Sequence, residues 1–273
     1  MDKRLRIAFI GAGKVGCSLA RYLGESGAAD IAGFFSRSES SAREAVEFAG
    51  GEAFTALAEV AWAADVVFVT TPDGAIREVA EELSTCGADL DGKIIAHCSG
   101  ATSSETLAAC RDAGACVASM HPLYAVSSRF GCWKELGRAW FSLEGDEAAV
   151  RTLEKLLDRL GNKHGRIDAA QKTRYHAAAV MASNLVVGLY DMAAGELARC
   201  GLDRAEAESA LAALFLGNAQ HIAADGVEAS LTGPAARGDQ ATINGHLACL
   251  DSRDRQVYEL LTEELFEIAA RRE

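Results

Sequence analysis

Gly11, Gly13 and Gly16 follow directly on the apolar run Leu5 to Ile10 and open a stretch with helical character from Lys14 to Gly24. The chemistry of a G-x-G-x-x-G turn in that setting is anion binding. Its first glycine permits the tight turn, its second lets a pyrophosphate approach the backbone, and its third lets the helix pack closely on the strand. The N–H groups at the helix start, carried by Lys14, Val15 and Gly16, have no partner within the helix and favour a phosphate. In an NAD site, a carboxylate about 20 residues past the motif accepts hydrogen bonds from the adenosine ribose. Ser36, Arg37 and Ser38 stand there instead, so a group that would repel a 2'-phosphate is missing and a guanidinium is present. The expected cofactor is NADP(H). Each of these readings has a plainer alternative, a glycine turn needed only for packing and an arginine in a solvated turn.

More polar groups stand where strands and helices end. Thr70-Thr71-Pro72 closes the apolar run Asp65 to Val69 and is read as lining the nicotinamide side. Ser99 belongs to the small-residue loop Cys98-Ser99-Gly100-Ala101, and His121 stands just beyond a strand from Ala115 to Met120. At 3.6 residues per turn, Lys172, His176, Ala179 and Ser183 share one face of a helix, with Asn184 at its margin. Polar groups on an apolar helix with small neighbours suggest a face left open to a ligand; Tyr175 lies off the stripe and is read as packing. Thr232-Gly233-Pro234 leads to Arg237-Gly238-Asp239, where a turn would hold an arginine at a helix start. As structural residues, His121 would be a turn histidine, His176 a satisfied core histidine, and Arg237 a partner for Asp239 or a helix cap.

These residues need a scaffold, and apolar patterning supplies one. Strand-like runs at Leu5–Ile10, Ile31–Phe35, Asp65–Val69, Lys93–His97, Ala115–Met120 and Trp140–Leu143 alternate with helical stretches, and Ala53-Phe54 is a candidate edge strand. Glu147 to Leu160 carries Leu153, Leu156, Leu157 and Leu160 on one stripe and stops at Gly161-Asn162. From Asp168 strand signals disappear, and helices are expected over Ala169–Cys200, Arg204–Ala224, Gly238–Leu250 and Arg253–Arg271, with Asp203 and Glu206 capping the second. The predicted architecture is α/β: a Rossmann-type, doubly wound, mainly parallel sheet over residues 1–167, followed by an all-α domain over 168–273.

Composition narrows the partners. With 27 basic against 39 acidic residues the net charge is -12, which disfavours nucleic acid and anionic membranes and obliges an anionic ligand to find a local cation. The N-terminal apolar run is too short for a signal peptide, and no uninterrupted apolar run of about 18 residues suggests a membrane span, so a cytoplasmic protein is expected. Eight scattered cysteines form no framework, and six histidines lack metal spacing, so neither a disulfide scaffold nor a metal site is expected.

The stretches His97-Cys-Ser-Gly-Ala101, His121-Pro-Leu123, Lys172-x-x-Tyr-His176 with Ser183-Asn184, and Thr232-Gly-Pro with Arg237-Gly-Asp239 and His246 together carry a resemblance. Over nearly its full length the chain resembles Rossmann-like proteins with a C-terminal domain of unknown function 2520, relatives of pyrroline-5-carboxylate reductases and deazaflavin-type NADP oxidoreductases. Lys172 is similar to the catalytic lysine of β-hydroxyacid dehydrogenases and ketopantoate reductases in K-x-x-x-N, with His176 in the asparagine's place. His121-Pro122 is similar to the His-Pro pair of prephenate dehydrogenases. The resemblance implies hydride transfer near Lys172 and His121, with Lys172, His121 or His176 as proton donor and dimerisation through the helical domain. Ser183, Asn184, Thr232, Arg237 and Asp239 would serve an anionic substrate, Arg237 by a two-pronged grip on a carboxylate. The leading expectation is NADPH-dependent reduction of a small, ketopantoate-like 2-oxo acid. A non-catalytic dinucleotide sensor and a C=N reductase remain alternatives.

Overall fold

The computed structural model describes residues 4–272 and divides into two compact units, one ending at Met181 and the other beginning at Ala182. In the first, β1 (Leu5–Ile10), α1 (Lys14–Glu25), β2 (Ala29–Phe35), α2 (Glu39–Ala49), β3 (Glu52–Phe54), α3 (Leu57–Ala63), β4 (Val66–Val69), α4 (Ile76–Ser84), β5 (Ile94–His97), α5 (Ala108–Asp112) and β6 (Cys116–Leu123) follow one another. β7 (Trp140–Gly145), α6 (Glu147–Leu160), β8 (His164–Arg166) and α7 (Lys172–Ala182) complete it.

Among the described residues the strands form one eight-stranded sheet in the order β3-β2-β1-β4-β5-β6-β7-β8. Strands β1 to β6 run parallel, β7 is antiparallel to β6, and β8 is parallel to β7. This is the expected doubly wound α/β unit, a fold in which ligands bind outside the carboxyl ends of the parallel strands. Both faces are covered because successive side chains alternate. Ile7 and Phe9 enter a core shared with α1, α2 and α6, whereas Ala8 and Ile10 enter one shared with α3, α4 and α5. Phe9 stacks between Phe34 and Phe68 of the flanking strands at centroid distances of 5.2 and 5.7 Å. The leucine stripe of α6 is buried at Leu153, Leu156 and Leu157, and the helix ends at Gly161 with φ 72°.

Two differences from the sequence expectation matter for the site. β6 does not stop at Met120: it runs on through His121 and Pro122, which pair with Ser142 and Phe141 of β7. His121 is therefore carried inside a strand, held by an antiparallel neighbour that local sequence does not reveal. The stretch Ala169–Cys200 is likewise not one helix, because Ser183 leaves helical geometry (φ -129°, ψ -80°) and separates α7 from the next helix.

The second unit contains α8 (Asn184–Arg199), α9 (Arg204–Ser230), α10 (Gly233–Ala236), α11 (Gln240–Cys249) and α12 (Ser252–Ala270). Asp203 and Glu206 form the expected reciprocal cap on α9, at 2.8 and 3.0 Å. That helix is interrupted at Gly226 (φ 83°), close to where the sequence pattern ends it. Leu185, Val187, Leu214, Leu216 and Leu260 are each more than half exposed on this unit. By length and composition alone, the stretch Ala169–Arg199 could cross a membrane, which a search for unbroken apolar runs misses. The break at Ser183 divides it. All eight cysteines are free thiols.

Candidate functional site

The glycine turn builds a cradle. Gly11 takes φ 109°, donates its N–H to Phe35 O at 2.8 Å, and sits so close to β4's exit that a Cβ would lie 2.8 Å from the Thr70 carbonyl carbon. A Cβ on Gly16 would lie 2.5 Å from both Gly11 O and Thr70 Oγ1, so strand, helix and the threonine loop lock together only without side chains there. Thr70 Oγ1 seals the joint by donating to Gly11 O at 2.8 Å. Gly13 differs: a Cβ there would meet nothing nearer than Thr70 O at 4.0 Å, so internal packing gives no reason for its missing side chain. That gap opens on a cavity of about 400 Å³ lined by Gly11, Gly13, Ser36, Arg37, Thr70, Thr71 and other residues.

Seven of the residues expected to hold the cofactor thus line one cavity: Gly11, Gly13, Ser36, Arg37, Thr70, Thr71 and Pro72. Gly16, Lys14 and Val15 form the start of α1 behind it, and Ser38 caps α2, accepting from Ser41 N at 3.3 Å. Two observations fit a phosphate-bearing dinucleotide. Thr71 Oγ1 is buried with no partner among the described residues, and Arg37 is exposed at the cavity wall with no ion pair among them. Glu78 and Glu82 of α4 line the cavity too, a feature the sequence reading does not include.

Ser99 stands apart from this cavity, in a second group beyond β5. Its Oγ accepts from Ala101 N and Thr102 N, both at 3.1 Å, and its carbonyl accepts from Lys172 Nζ at 2.7 Å. Lys172 also donates to Ser119 Oγ at 2.8 Å and is only 2% exposed. The face expected of α7 is real at Lys172 and His176, but Ser183 falls at the helix break and its hydroxyl donates to Asn184 Oδ1 at 3.1 Å. His176 and His121 converge on Gly100. A Cβ there would lie 2.7 Å from His176 Nδ1 and 2.9 Å from His121 Nε2. His176 Nδ1 is buried without a partner among the described residues, so the pocket presents an unused polar atom.

Tyr175, read from sequence as packing, belongs to this group. Its hydroxyl lies 2.8 Å from His121 Nδ1 and its ring 5.7 Å from Lys172 Nζ. The available signal was the three-residue spacing from Lys172, which also brings side chains to one helical face.

Burial keeps two of the imidazoles, His97 and His121, neutral. Burial, reinforced by the nearby Lys172 charge, holds His97 down to about 4. Burial and then the charges of Lys172 and His176 bring His121 to about 4 as well. Burial also lowers the Lys172 pKa, against the pull of Glu144. For His97 the unfolded chain takes up a proton near 6.5 and the folded chain only near 4, so stability is full above 6.5 and falls as pH drops through that window. The gap is on the order of 3 kcal/mol for one histidine. Denaturant titrations between pH 7 and 4.5 should therefore show a shallower loss of stability in His97→Gln than in the wild type. Equal slopes would mean that His97 is not buried neutral.

In the helical unit, Thr232 precedes α10, Arg237 ends it exposed and without an ion pair among the described residues, and Asp239 caps α11. The Asp239 carboxylate is engaged by Thr242, at 3.1 Å from its N and 2.7 Å from its Oγ1. Glu196, Asp251 and Asp254 also cluster there, with Arg199 bridging the first two.

A model of the Rossmann-like domain matches residues 1–122, and one of a domain of unknown function (DUF2520) matches residues 139–265. No curated protein gives a significant match. Among solved structures, protein TM1727 from Thermotoga maritima is similar at 30% identity, over 97% of this chain and 99% of that one, with a TM-score of 0.77. Protein BF3122 from Bacteroides fragilis is similar at 24% identity, over 97% and 98%, with a TM-score of 0.73. A pyrroline carboxylate reductase from Plasmodium falciparum, solved with NADP bound, shares the fold at 12% identity, over 97% and 98%, with a TM-score of 0.61.

Proposed function

Because the chain belongs to the family that joins a Rossmann-like domain to the domain of unknown function DUF2520, we propose that it is an NADPH-dependent oxidoreductase reducing a small 2-oxo acid, ketopantoate-like in size. The observation that carries this reading is the placing of a glycine-floored cavity and of the pair His121 and His176 beside Gly100 along the same carboxyl edge of the sheet. In this reading Gly11, Gly13 and the first N–H groups of α1 at Lys14, Val15 and Gly16 hold the pyrophosphate. Ser36, Arg37 and Ser38 receive the 2'-phosphate, Thr70, Thr71 and Pro72 border the nicotinamide, and Ser99 shapes the loop beside it.

Bound NADPH supplies the hydride. The chain's own share is to orient the acceptor, exclude water and provide a proton. His121 Nε2 and His176 Nδ1 face the space beside Gly100, and Lys172 holds a buried positive charge behind the Ser99 carbonyl. Arg237, with Thr232, Asp239, Ser183 and Asn184, is proposed to serve the substrate carboxylate. The exposed Leu185, Val187, Leu214, Leu216 and Leu260 support a homodimer formed through the helical unit. A C=N acceptor is the second reading, favoured by the fold shared with the pyrroline carboxylate reductase.

Cofactor choice gives the first test. NADPH is expected to bind more tightly than NADH, and Arg37→Ala should lose about 10- to 100-fold of that preference, the worth of a charge-assisted contact. Equal affinity in the wild type would refute the assignment of Arg37. Following NADPH absorbance against 2-oxo acids and cyclic imines then separates the two reductase readings. Tight binding without turnover of either class would leave a dinucleotide-binding protein.

A further inference from the structure

Tyr175, His121 and Lys172 form a chain of contacts that the proposed hydride transfer does not by itself require. The Tyr175 hydroxyl lies 2.8 Å from His121 Nδ1, and the two rings meet edge to face at 5.6 Å and 89°. The opposite nitrogen, Nε2, lies beside Gly100, as does the Nδ1 of His176, which has no partner among the described residues. Lys172 stands 5.7 Å from the tyrosine ring, with its ammonium fixed by Ser99 O and Ser119 Oγ. One imidazole thus meets a hydroxyl at one nitrogen and the bare Cα of Gly100 at the other.

We propose that Tyr175 is the proton source of the site, acting through His121. Its hydroxyl donates to Nδ1, fixes the imidazole as the Nε2–H tautomer and restores the proton that Nε2 gives up. The inference rests on the reductase reading and adds to it where the proton comes from.

The direction of the hydrogen bond follows from relative acidity. Burial raises the Tyr175 pKa above the ordinary phenol value of about 10, yet the phenol stays a far stronger acid than the N–H of a neutral imidazole, and an imidazole nitrogen is a better acceptor than a phenol oxygen. O–H to N is therefore the favoured arrangement, and it leaves the remaining imidazole proton on Nε2. His121 cannot act as a stored imidazolium, since burial and the neighbouring Lys172 and His176 hold it neutral down to about 4. It can pass a proton only by taking one on the other side.

The balance is complete with NADPH as reductant. Once hydride has reached the carbonyl carbon, the carbonyl π pair resides on oxygen as an alkoxide. A new O–H bond forms there as the His121 Nε2–H bond breaks, while an Nδ1–H bond forms as the Tyr175 O–H bond breaks. The imidazole stays neutral with its tautomer exchanged. The negative charge ends on the Tyr175 phenolate, near the Lys172 ammonium, until water returns a proton. For a C=N acceptor the nitrogen takes the same proton. Tyr175 touches neither substrate nor cofactor in this scheme; it is a positioning and relay residue.

Two measurements on the full chain test the proposal. In ¹⁵N NMR of the histidine side chains, with His121 assigned through His121→Asn, the wild type should show Nε2 protonated and Nδ1 as a hydrogen-bonded acceptor. Tyr175→Phe should shift the ring towards a mixture of tautomers, an effect that loss of packing would not produce. With NADPH and ketopantoate or 1-pyrroline-5-carboxylate as probes, Tyr175→Phe should lower kcat by about 10²-fold, at the lower end of the range for proton transfer, with KM and NADPH affinity unmoved. The proton inventory of kcat in mixed H₂O and D₂O should be curved in the wild type and linear in the variant. An Nδ1–H tautomer in the wild type, or wild-type turnover left unimpaired by Tyr175→Phe, overturns the relay while the reductase reading stands. Absence of wild-type turnover with both probes overturns the reductase reading and the relay together.

Discussion

Replacing Lys172 with methionine is expected to lower kcat by about 10²- to 10⁴-fold while leaving NADPH affinity nearly unchanged. The lysine is 2% exposed, and its Nζ donates to the Ser99 carbonyl at 2.7 Å and to Ser119 Oγ at 2.8 Å. Those bonds commit it to the loop beside Gly100, so the part proposed for it is to hold positive charge near the group that becomes negative, more than to hand over a proton. Methionine keeps the length and apolar stem but leaves the Ser99 carbonyl with one weak donor, Ser119 Oγ at 3.4 Å. Loss of a buried partner costs about 1 to 3 kcal/mol, so a lower melting temperature should accompany the slower rate. The pH profile separates the two effects. Burial lowers the Lys172 pKa, so wild-type kcat should fall as pH rises through that value and the ammonium is lost, whereas the variant should be flat there. On the acid side His121 stays neutral until about 4. A methionine variant with full kcat would remove the lysine from the chemistry.

Gly100→Ala should reduce kcat/KM by about 10²-fold or more, the cost of misplacing catalytic groups by roughly an ångström. The added carbon would sit 2.7 Å from His176 Nδ1 and 2.9 Å from His121 Nε2, inside contact distance of both. His121 has little freedom to retreat, because its strand pairs with β7 and its Nδ1 is held by Tyr175. His176 must therefore turn away and the pocket narrows. NADPH binding should persist, since the cradle is built from other strands. Unchanged kcat/KM in a folded Gly100→Ala protein would show that the space between these nitrogens is not where the acceptor sits.

What the sequence reveals of this molecule is what short-range rules encode. Leu5 to Gly16 announces its strand, turn and helix because the apolar run and the three glycines act within a dozen residues. The place of Arg37 on the cavity wall is legible for the same reason, at a fixed distance from the motif. β8 is not, since His164-Gly165-Arg166 has no apolar pattern and exists as a strand only through pairing with Phe141, Ser142 and Leu143. The extension of β6 through His121-Pro122 is hidden in the same way, because a proline argues against a strand unless a neighbour's geometry admits it. Spacing brings Lys172 and His176 together, yet it cannot tell that Tyr175 turns towards a histidine 54 residues away. Gly100 is the least legible of all. Its need for a bare Cα comes from two side chains on other elements.

A ribosome that has made the chain as far as Leu123 has delivered all six parallel strands, with β6 as the bare edge. The stretch Ala118–Leu123 then lacks β7, its antiparallel partner. An unpaired edge is a template for association with other chains, and this one contains the apolar Met120. Pro122 interrupts that template, because it has no N–H to offer a foreign strand. Every residue named as lining the glycine-floored cavity, from Gly11 to Glu82, has by then been made, whereas Tyr175, His176 and Lys172 have not. Synthesis order therefore completes the glycine-floored cavity ahead of the histidine group, with a proline guarding the open edge between the two stages.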